Sequence, residues 1–258
     1  MGCYDVSREL ERKDIEAKKK VIKNMVNWVI DLIYPRRCPG CETTLNAKTI
    51  ICNTCQSKLI YIEEPACKKC GKPLDNEVIE YCYDCIRKKH VYDAGKAVFA
   101  YQGVIRDSLY RFKYSDKRDY AYFYAIETVE RYGKWITNRG VDAIVPIPLH
   151  KKRRKKRGYN QAELYARFLG ELLDIPVYTK MLIRVEDTKP QKNLNDTERK
   201  NNLKKAFKYS ENIVQSKCIL LVDDIYTTGS TMDAAADELK VAGVQKVYFA
   251  CVSIGRGL

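Results

Sequence analysis

The stretch Cys218-Ile-Leu-Leu-Val-Asp-Asp-Ile-Tyr-Thr-Thr-Gly-Ser-Thr231 joins an apolar run, two adjacent acids and a hydroxyl-rich turn. Residues 219–222 are all apolar and include β-branched side chains, which is typical of a parallel strand buried on both faces. After Gly229, apolar residues recur at helical spacing at Met232, Ala235, Ala236 and Leu239. The stretch therefore predicts an α/β fold with a tight strand-to-helix turn.

The turn from Thr227 to Thr231 is suited to binding a phosphate. Backbone N–H groups and the positive end of the helix dipole attract a phosphate, and Gly229 allows its close approach. Further donors are the hydroxyls of Thr227, Thr228, Ser230 and Thr231. Asp223 and Asp224 would repel a bare phosphate, so we expect them to bind ribose hydroxyls and, through water, Mg²⁺. A sugar phosphate satisfies both requirements.

This order of elements resembles the phosphoribosyl pyrophosphate (PRPP) motif of type I phosphoribosyltransferases. In that motif a hydrophobic strand, two acids and a Thr-Thr-Gly-Ser/Ala-Thr turn follow one another. An ordinary strand–turn–helix joint with surface acids is the alternative, but it does not explain two acids and four hydroxyls together. The resemblance implies a type I phosphoribosyltransferase-like parallel sheet with flanking helices, which we place over residues 93–258.

Strand and helix patterns alternate from about residue 95 onwards. We predict one long helical stretch over residues 104–132 and a helix over residues 161–173. Besides the strand at residue 219, we predict strands over residues 97–101, 143–148, 177–182 and 246–253. In such sheets ligands bind where loops converge at the carboxyl ends of the strands.

The cysteine spacing predicts metal sites. Of eleven cysteines, eight form four Cys-x-x-Cys pairs, namely Cys38/Cys41, Cys52/Cys55, Cys67/Cys70 and Cys82/Cys85. Two such knuckles supply the four thiolates of a tetrahedral Zn²⁺ site. We expect two sequential sites, although the sequence also allows interleaved pairing or one site. A redox motif or an iron–sulfur cluster is disfavoured, because redox enzymes carry one such pair at a helix start.

Two functions suit this zinc module, which we place over residues 36–92. The metal can be a structural staple for a segment with too little apolar content to fold unaided. The module can instead be a docking surface for nucleic acid or a partner, because basic residues lie beside the knuckles. These residues are Lys68, Lys69, Lys72, Arg87, Lys88 and Lys89. The sequence leaves both interpretations open.

A charged and amphipathic helical segment is predicted over residues 1–35. Residues 8–24 are highly charged, and apolar residues then recur at helical spacing between positions 26 and 33. We expect this apolar stripe to pack on the zinc module. A peripheral membrane helix is the alternative, given the basic cluster at residues 18–23 and Trp28.

Seven consecutive basic residues, Lys151 to Arg157, follow the strand predicted to end near Pro148. A solvated basic surface is the plain interpretation of such a run. Beside a PRPP motif, however, a basic loop after a strand is where pyrophosphate would bind, and we expect Lys151 and Arg157 to contact it. The run Arg157-Gly-Tyr-Asn-Gln161 adds amide donors that a mere charge run lacks. Nucleic acid is a rival ligand for Lys151 to Lys156.

A long polar segment covers residues 184–203. Long loops in compact domains are often lids over a ligand. We expect Arg184 and Gln191 to fold over the bound diphosphate, with further donors at Thr188, Arg199 and Asn202. The alternative is a disordered loop on the surface.

Taken in chain order, the four cysteine pairs, Pro146-Ile-Pro148, the run ending at Gln161, the polar segment and the PRPP motif resemble the ComF family of competence-related proteins. The resemblance covers roughly residues 26 to 253. It implies a phosphoribosyltransferase fold behind a zinc module, a role in DNA uptake during transformation, and binding of single-stranded DNA and of PRPP with Mg²⁺. A DNA-uptake helicase or other competence proteins would be its protein partners.

Two functions remain open. The chain can be a DNA-processing accessory protein whose PRPP pocket is a sensor or a relic, or an active PRPP-dependent phosphoribosyltransferase with an unidentified acceptor. In an enzyme, Asp223, Asp224 and Arg157 would be the catalytic residues, because the acids hold the ribose while Arg157 stabilises the departing pyrophosphate. The net charge of +14 favours a polyanionic partner without identifying it.

Length and composition suit one core with a small appended module, since the 258 residues are 45% hydrophobic. No run approaches the roughly 18 apolar residues that a membrane span requires. No apolar signal-peptide core follows Met1. We therefore expect a cytoplasmic protein without a membrane span.

Overall fold

The computed structural model describes residues 35–46, 49–185, 206–210 and 216–255. The helical segment predicted before residue 35 lies outside this range, as do residues 186–205 of the polar segment. The chain divides into two compact units, Met1–Cys55 and Gln56–Leu258. The second unit contains the sheet and the last two cysteine pairs. The boundary predicted at residue 92 stays a prediction.

Helices and strands follow one another along the described residues. Two short helices, α1 (Asn53–Gln56) and α2 (Tyr83–Arg87), belong to the cysteine-rich region. The elements that follow are β1 (Ala94–Ala100), α3 (Gly103–Tyr114), α4 (Tyr120–Asn138), β2 (Ala143–Pro146), α5 (Lys151–Arg157), α6 (Gln161–Leu173), β3 (Leu182–Arg184), β4 (Phe207–Tyr209), β5 (Cys218–Tyr226), α7 (Ser230–Val241) and β6 (Lys246–Ile254).

Four strands form one parallel sheet in the order β1-β6-β5-β2. The two central strands, β5 and β6, pair along most of their length, and Leu221 of β5 lies beside Phe249 of β6. Val145 of β2 lies on the other side of Leu221. Because all these strands run in the same direction, their carboxyl ends meet at one edge. The loops after β2 and β5 therefore converge there.

The core lies on both faces of this sheet. On one face Leu221 and Phe249 join a buried cluster with Met232, Ala235 and Leu239 of α7. On the other face α4 packs against α6, and the buried hydroxyls of Thr128 and Tyr165 are 2.7 Å apart across that contact. β5 is buried from Cys218 to Val222, as its apolar run predicts.

Two predicted elements differ from the structure. The helical stretch predicted within residues 104–132 is two helices, because Asp116 adopts a left-handed φ of 54° and ends the first. The strand predicted over residues 177–182 is wrong, since Val177 makes only an isolated bridge to Ile144. The strand in this region is instead β3, which pairs antiparallel with β4. These two short strands bracket the long polar segment.

Candidate functional site

The turn after β5 has the backbone geometry that its sequence predicts. Gly229 has a φ of +76°, which favours glycine, and it caps the N-terminus of α7. A Cβ at this position would stand 2.5 Å from the Tyr226 hydroxyl and 3.0 Å from His90 Cε1, so only glycine fits. Thr227 and Thr228 are exposed, and the Thr228 and Ser230 hydroxyls lie 3.0 Å apart. The turn thus presents hydroxyls and N–H groups to solvent.

Two adjacent carboxylates stand at the end of β5. The side chain of Asp224 is only 13% exposed, and its Oδ2 lies 2.7 Å from Lys113 Nζ on α3. Burial and the neighbouring Asp224 carboxylate raise the pKa of Asp223 to about 7. Burial acts to lower the pKa of Lys113, but the carboxylates of Asp224 and Asp223 outweigh it and the pKa lies above its usual value. An acidic pair with its own cation therefore faces the site.

A cavity of about 360 Å³ opens at this edge of the sheet. Its lining residues come from α3, the β2–α5 connection, α5, α6, β3, β5 and the turn: Lys113, Ile147, Leu149, Arg153, Arg157, Asn160, Gln161, Ala162, Arg184, Asp223, Asp224, Thr227 and Thr231. The lining combines several cations with two carboxylates and neutral donors. Such a mixture suits a ligand that carries both anionic groups and sugar hydroxyls.

Most of the predicted site residues meet in this cavity. Residues from three distant parts of the chain line it together: Arg157, Arg184, Asp223, Asp224, Thr227 and Thr231. Thr228, Gly229 and Ser230 belong to the adjoining turn and are not among the lining residues. Lys151 lies on α5 without lining the cavity, and Gln191 falls outside the described residues.

The basic run is a helix rather than the predicted loop. Its residues have good helix propensity, the His150 ring accepts a hydrogen bond from the Lys152 N–H, and Gly158 ends the helix with a φ of 80°. Residues 151–156 are exposed, whereas Arg157 is half-buried. The helix therefore contributes Arg157 to the cavity and most of its charge to the surface.

Arg157 is held in place by two neighbours. Its guanidinium donates to Gln161 Oε1 at 3.0 Å and to the Tyr114 hydroxyl at 3.2 Å. Gln161 is buried, and its Nε2 has no hydrogen-bond partner among the described residues. A buried donor without a partner that lines a cavity fits an anionic or hydroxyl-bearing ligand.

Lys113 and Arg153 also line the cavity. Sequence reasoning did not assign Lys113 to the site, and it assigned Arg153 only as one member of the basic run. Lys113 lies on α3, far from the motif in sequence, and only the tertiary fold places it beside Asp224. In the sequence, Arg153 could not be distinguished from its basic neighbours in the run Lys151 to Arg157. Helical spacing provides the signal that could have found it, because Arg153 and Arg157 are four residues apart and share one helix face.

Two cysteine tetrads form the metal sites, and their sequential pairing is confirmed. The first comprises Cys38, Cys41, Cys52 and Cys55, and the second comprises Cys67, Cys70, Cys82 and Cys85. Within each tetrad the four sulfur atoms lie within 4.8 Å of one another. Tetrahedral zinc with Zn–S bonds of about 2.3 Å separates its sulfurs by about 3.8 Å. The Cys41–Cys52 and Cys70–Cys82 sulfur distances of 3.7 and 3.6 Å match this value.

The first knuckle of each tetrad has the same backbone design. The N–H of the fifth residue donates to the carbonyl of the first cysteine, from Glu42 to Cys38 and from Gly71 to Cys67. Glu42 and Gly71 both adopt a left-handed φ, of 63° and 74°. With four sulfur ligands, each site leaves no open position, which is typical of structural rather than catalytic zinc.

Comparisons with protein families match two regions of the chain. The double zinc ribbon domain matches residues 29–86, and the phosphoribosyl transferase domain matches residues 155–256. The fold and the sites therefore define a double zinc ribbon protein with a phosphoribosyltransferase domain, as the sequence predicted. No helix among the described residues is long and apolar enough to cross a membrane.

Individual relatives narrow the class to a family. Competence protein F of Haemophilus influenzae is 31% identical over 223 residues, which cover 82% of this chain and 93% of the relative. Competence protein ComFC of Bacillus subtilis is 32% identical over 192 residues, which cover 72% of this chain and 76% of the relative. The chain belongs to the ComF family, and this prediction is confirmed.

More distant similarities are also present. DNA utilization protein YhgH of Escherichia coli is 28% identical over 207 residues, which cover 78% of this chain and 89% of the relative. A solved purine phosphoribosyltransferase from Pyrococcus horikoshii is 18% identical and covers 55% of this chain and 81% of its own. Its TM-score of 0.28 is too low to support an argument.

Proposed function

We propose that the protein binds PRPP with Mg²⁺ in the cavity and single-stranded DNA on the adjoining basic helix, and that it acts in DNA uptake. The observation that carries the proposal is the convergence of Arg157, Asp223, Asp224 and Thr227 on one cavity. The names of the competence and DNA utilization relatives support the link to DNA uptake.

The charges of the cavity suggest one orientation for PRPP. The 5′-phosphate would bind the turn after β5, where N–H groups and hydroxyls converge. The ribose hydroxyls would face Asp223 and Asp224. The pyrophosphate would then lie toward Arg153 and Arg157 of α5, with Arg184 entering from β3.

We expect Mg²⁺ to bind at this site together with the ligand and not in its absence. Within the described residues, the only groups of three or more possible metal ligands are the two cysteine tetrads. Mg²⁺ usually binds one or two carboxylates together with waters and substrate phosphates, and Asp223 and Asp224 supply such carboxylates. When bound, the ion would neutralise charge on the diphosphate.

The second candidate function is that of an active phosphoribosyltransferase. It is favoured by the presence of Arg157, Asp223 and Asp224 in one cavity. In that reaction the bond between the anomeric carbon and the pyrophosphate oxygen breaks while an acceptor attacks the carbon. Arg157 would stabilise the leaving pyrophosphate, and the carboxylates would hold the ribose as positive charge develops on it. Arg157 is pre-oriented for this role by Gln161 and Tyr114.

Calorimetry with PRPP and Mg²⁺ tests the pocket. We expect the wild type to bind and Asp223→Ala/Asp224→Ala to lose binding. Asp75→Ala/Glu77→Ala removes two exposed carboxylates elsewhere and is the charge-matched control, which should bind as the wild type does. A wild type that does not bind PRPP would overturn the proposal.

Salt titration tests the DNA surface. Single-stranded DNA affinity should fall steeply with salt, because each phosphate contact releases counterions. Replacing Lys151, Lys152, Lys155 and Lys156 by Gln should weaken binding and flatten the salt slope. Neutralising four exposed lysines outside α5, Lys134, Lys180, Lys208 and Lys217, is the control. An equal loss in both variants would argue against α5 as the DNA surface.

A further inference from the structure

The segment that leaves the second zinc ribbon runs along the phosphate-binding turn. Lys88 follows the zinc ligand Cys85 by three residues. Its Nζ donates to Ser230 Oγ at 3.2 Å and lies 3.4 Å from Asp233 Oδ2. The Lys88 side chain is 30% exposed, and its ammonium group contacts the first turn of α7.

Asp233 fixes this segment to α7 through two further contacts. His90 Nδ1 lies 2.8 Å from Asp233 Oδ2, and the Val91 N–H donates to Asp233 Oδ1 at 2.9 Å. The His90 side chain is fully buried. The first turn of α7 and the segment after the ribbon are thus joined at both carboxylate oxygens, so a shift of one displaces the other.

His90 also places a polar atom without a partner beside the turn. Its Nε2 is buried and makes no hydrogen bond to any residue that the structure describes. The Cε1 atom bonded to Nε2 stands 3.0 Å from the position that a Cβ on Gly229 would take. An unsatisfied buried polar atom is unfavourable, and a polar ligand bound at the turn would supply a partner for it.

We propose that the second zinc ribbon is part of the anion site, with Lys88 binding the same 5′-phosphate as the turn. The inference rests on the proposed PRPP function. Residues 227–231 offer only neutral donors, and Lys88 supplies the positive charge that a phosphate dianion favours. Because the ribbon positions Lys88, binding of zinc to the second tetrad and binding of the phosphate are linked. Linkage is reciprocal, so a bound phosphate strengthens zinc retention in that tetrad.

Calorimetry with ribose 5-phosphate tests the assignment of Lys88. This probe carries the 5′-phosphate and lacks the pyrophosphate. Lys88→Ala should weaken its binding roughly tenfold, the usual effect of losing one charged hydrogen bond. Lys89→Ala removes the neighbouring exposed lysine with the same change in charge and should leave the affinity unchanged. Lys88→Arg should retain most of the affinity.

A chelator titration tests the linkage without any enzymatic readout. Zinc release from the wild type is followed colorimetrically with and without ribose 5-phosphate. We expect the sugar phosphate to shift release of one of the two ions to higher chelator concentration, and Lys88→Ala to abolish that shift. If Lys88→Ala binds ribose 5-phosphate as well as the wild type, the inference fails while the PRPP proposal stands. A wild type that binds neither PRPP nor ribose 5-phosphate overturns both, and an unchanged zinc release overturns the linkage.

Discussion

Lys113 Nζ and Asp224 Oδ2 form a 2.7 Å ion pair inside the cavity, between α3 and the end of β5. Both side chains are largely buried, at 17% and 13% exposure. The ammonium group balances a carboxylate that would otherwise face Asp223 alone. The ion pair thus reduces the repulsion between the two adjacent acids. In the proposed complex, Mg²⁺ bound with the ligand would reduce it further.

Removing Lys113 should destabilise the protein. Lys113→Met leaves the Asp224 carboxylate buried without its cation, and we expect a loss of about 3 kcal/mol in the free energy of unfolding. Urea unfolding at constant zinc measures this loss. The double variant Lys113→Met/Asp224→Asn should recover much of the stability, because neither charge then remains. Purely additive effects of the two substitutions would contradict a direct ion pair.

Gly229→Ala should disrupt the turn more than a comparable glycine substitution elsewhere. Gly229 and Gly243 both have a positive φ, but a Cβ on Gly243 meets nothing within 4 Å. Gly243→Ala should therefore cost only the backbone strain of about 1 kcal/mol. Gly229→Ala should add a clash with Tyr226 and weaken ribose 5-phosphate binding. Thermal unfolding and calorimetry distinguish the two variants, and equal behaviour would exclude a special role of this turn.

The two zinc sites should differ in their effect on the α/β domain. Cys67 is fully buried in the hydrophobic cluster that includes Phe249 and Leu221, whereas Cys38 belongs to the other compact unit. Cys67→Ser should lower the main unfolding transition by several kcal/mol, because metal binding to this tetrad contributes folding free energy. Cys38→Ser should release one zinc ion and leave that transition nearly unchanged. Calorimetry with zinc analysis would show whether both variants instead behave alike.

Glu127 makes stability depend on pH. Burial raises its pKa, although a hydrogen bond from the Tyr61 hydroxyl at 3.0 Å acts in the opposite direction. Because the pKa of Glu127 is higher in the folded protein than in the unfolded chain, protonation of Glu127 favours the folded state at low pH. This stabilisation is lost as the pH rises through the pKa of the folded protein.

Replacing Glu127 with glutamine removes this loss. We expect Glu127→Gln to raise the melting temperature by roughly 2 °C at pH 8, and the difference from the wild type to shrink as pH falls toward 5. Glu171→Gln changes an exposed glutamate on α6, away from Glu127, and should show little effect at either pH. A gain for Glu127→Gln that does not change with pH would exclude ionisation of Glu127 as its cause.

The parts of the fold that local sequence dictates were predictable. The helix Gln161–Leu173 matches its predicted bounds, since an Asn160 cap and regular apolar spacing define it. The strand and turn around residues 218–231 also follow their pattern. The predicted strand at residues 177–182 was wrong because only Val177 pairs with Ile144 of β2, and the chain turns away at residues 179–180.

The candidate site was predictable only where residues share a motif. The motif itself identifies Asp223, Asp224 and Thr227, because they lie close together in the sequence. Arg157 is identified by its position next to Gly158. Lys113 carries no such local signal, because its role arises from a contact spanning more than a hundred positions. Pairing of cysteines was likewise open in the sequence and was decided by tertiary folding.

The burial of Cys67 and Cys70 in the hydrophobic cluster of the α/β domain limits how the chain can be shortened. A fragment starting after the ribbons would uncover the apolar side chains of Phe249 and Tyr226 along with neighbouring cluster members. Freshly exposed surface of that kind promotes self-association, so the fragment should precipitate on expression. We therefore expect the phosphoribosyltransferase domain to require its second ribbon in order to fold.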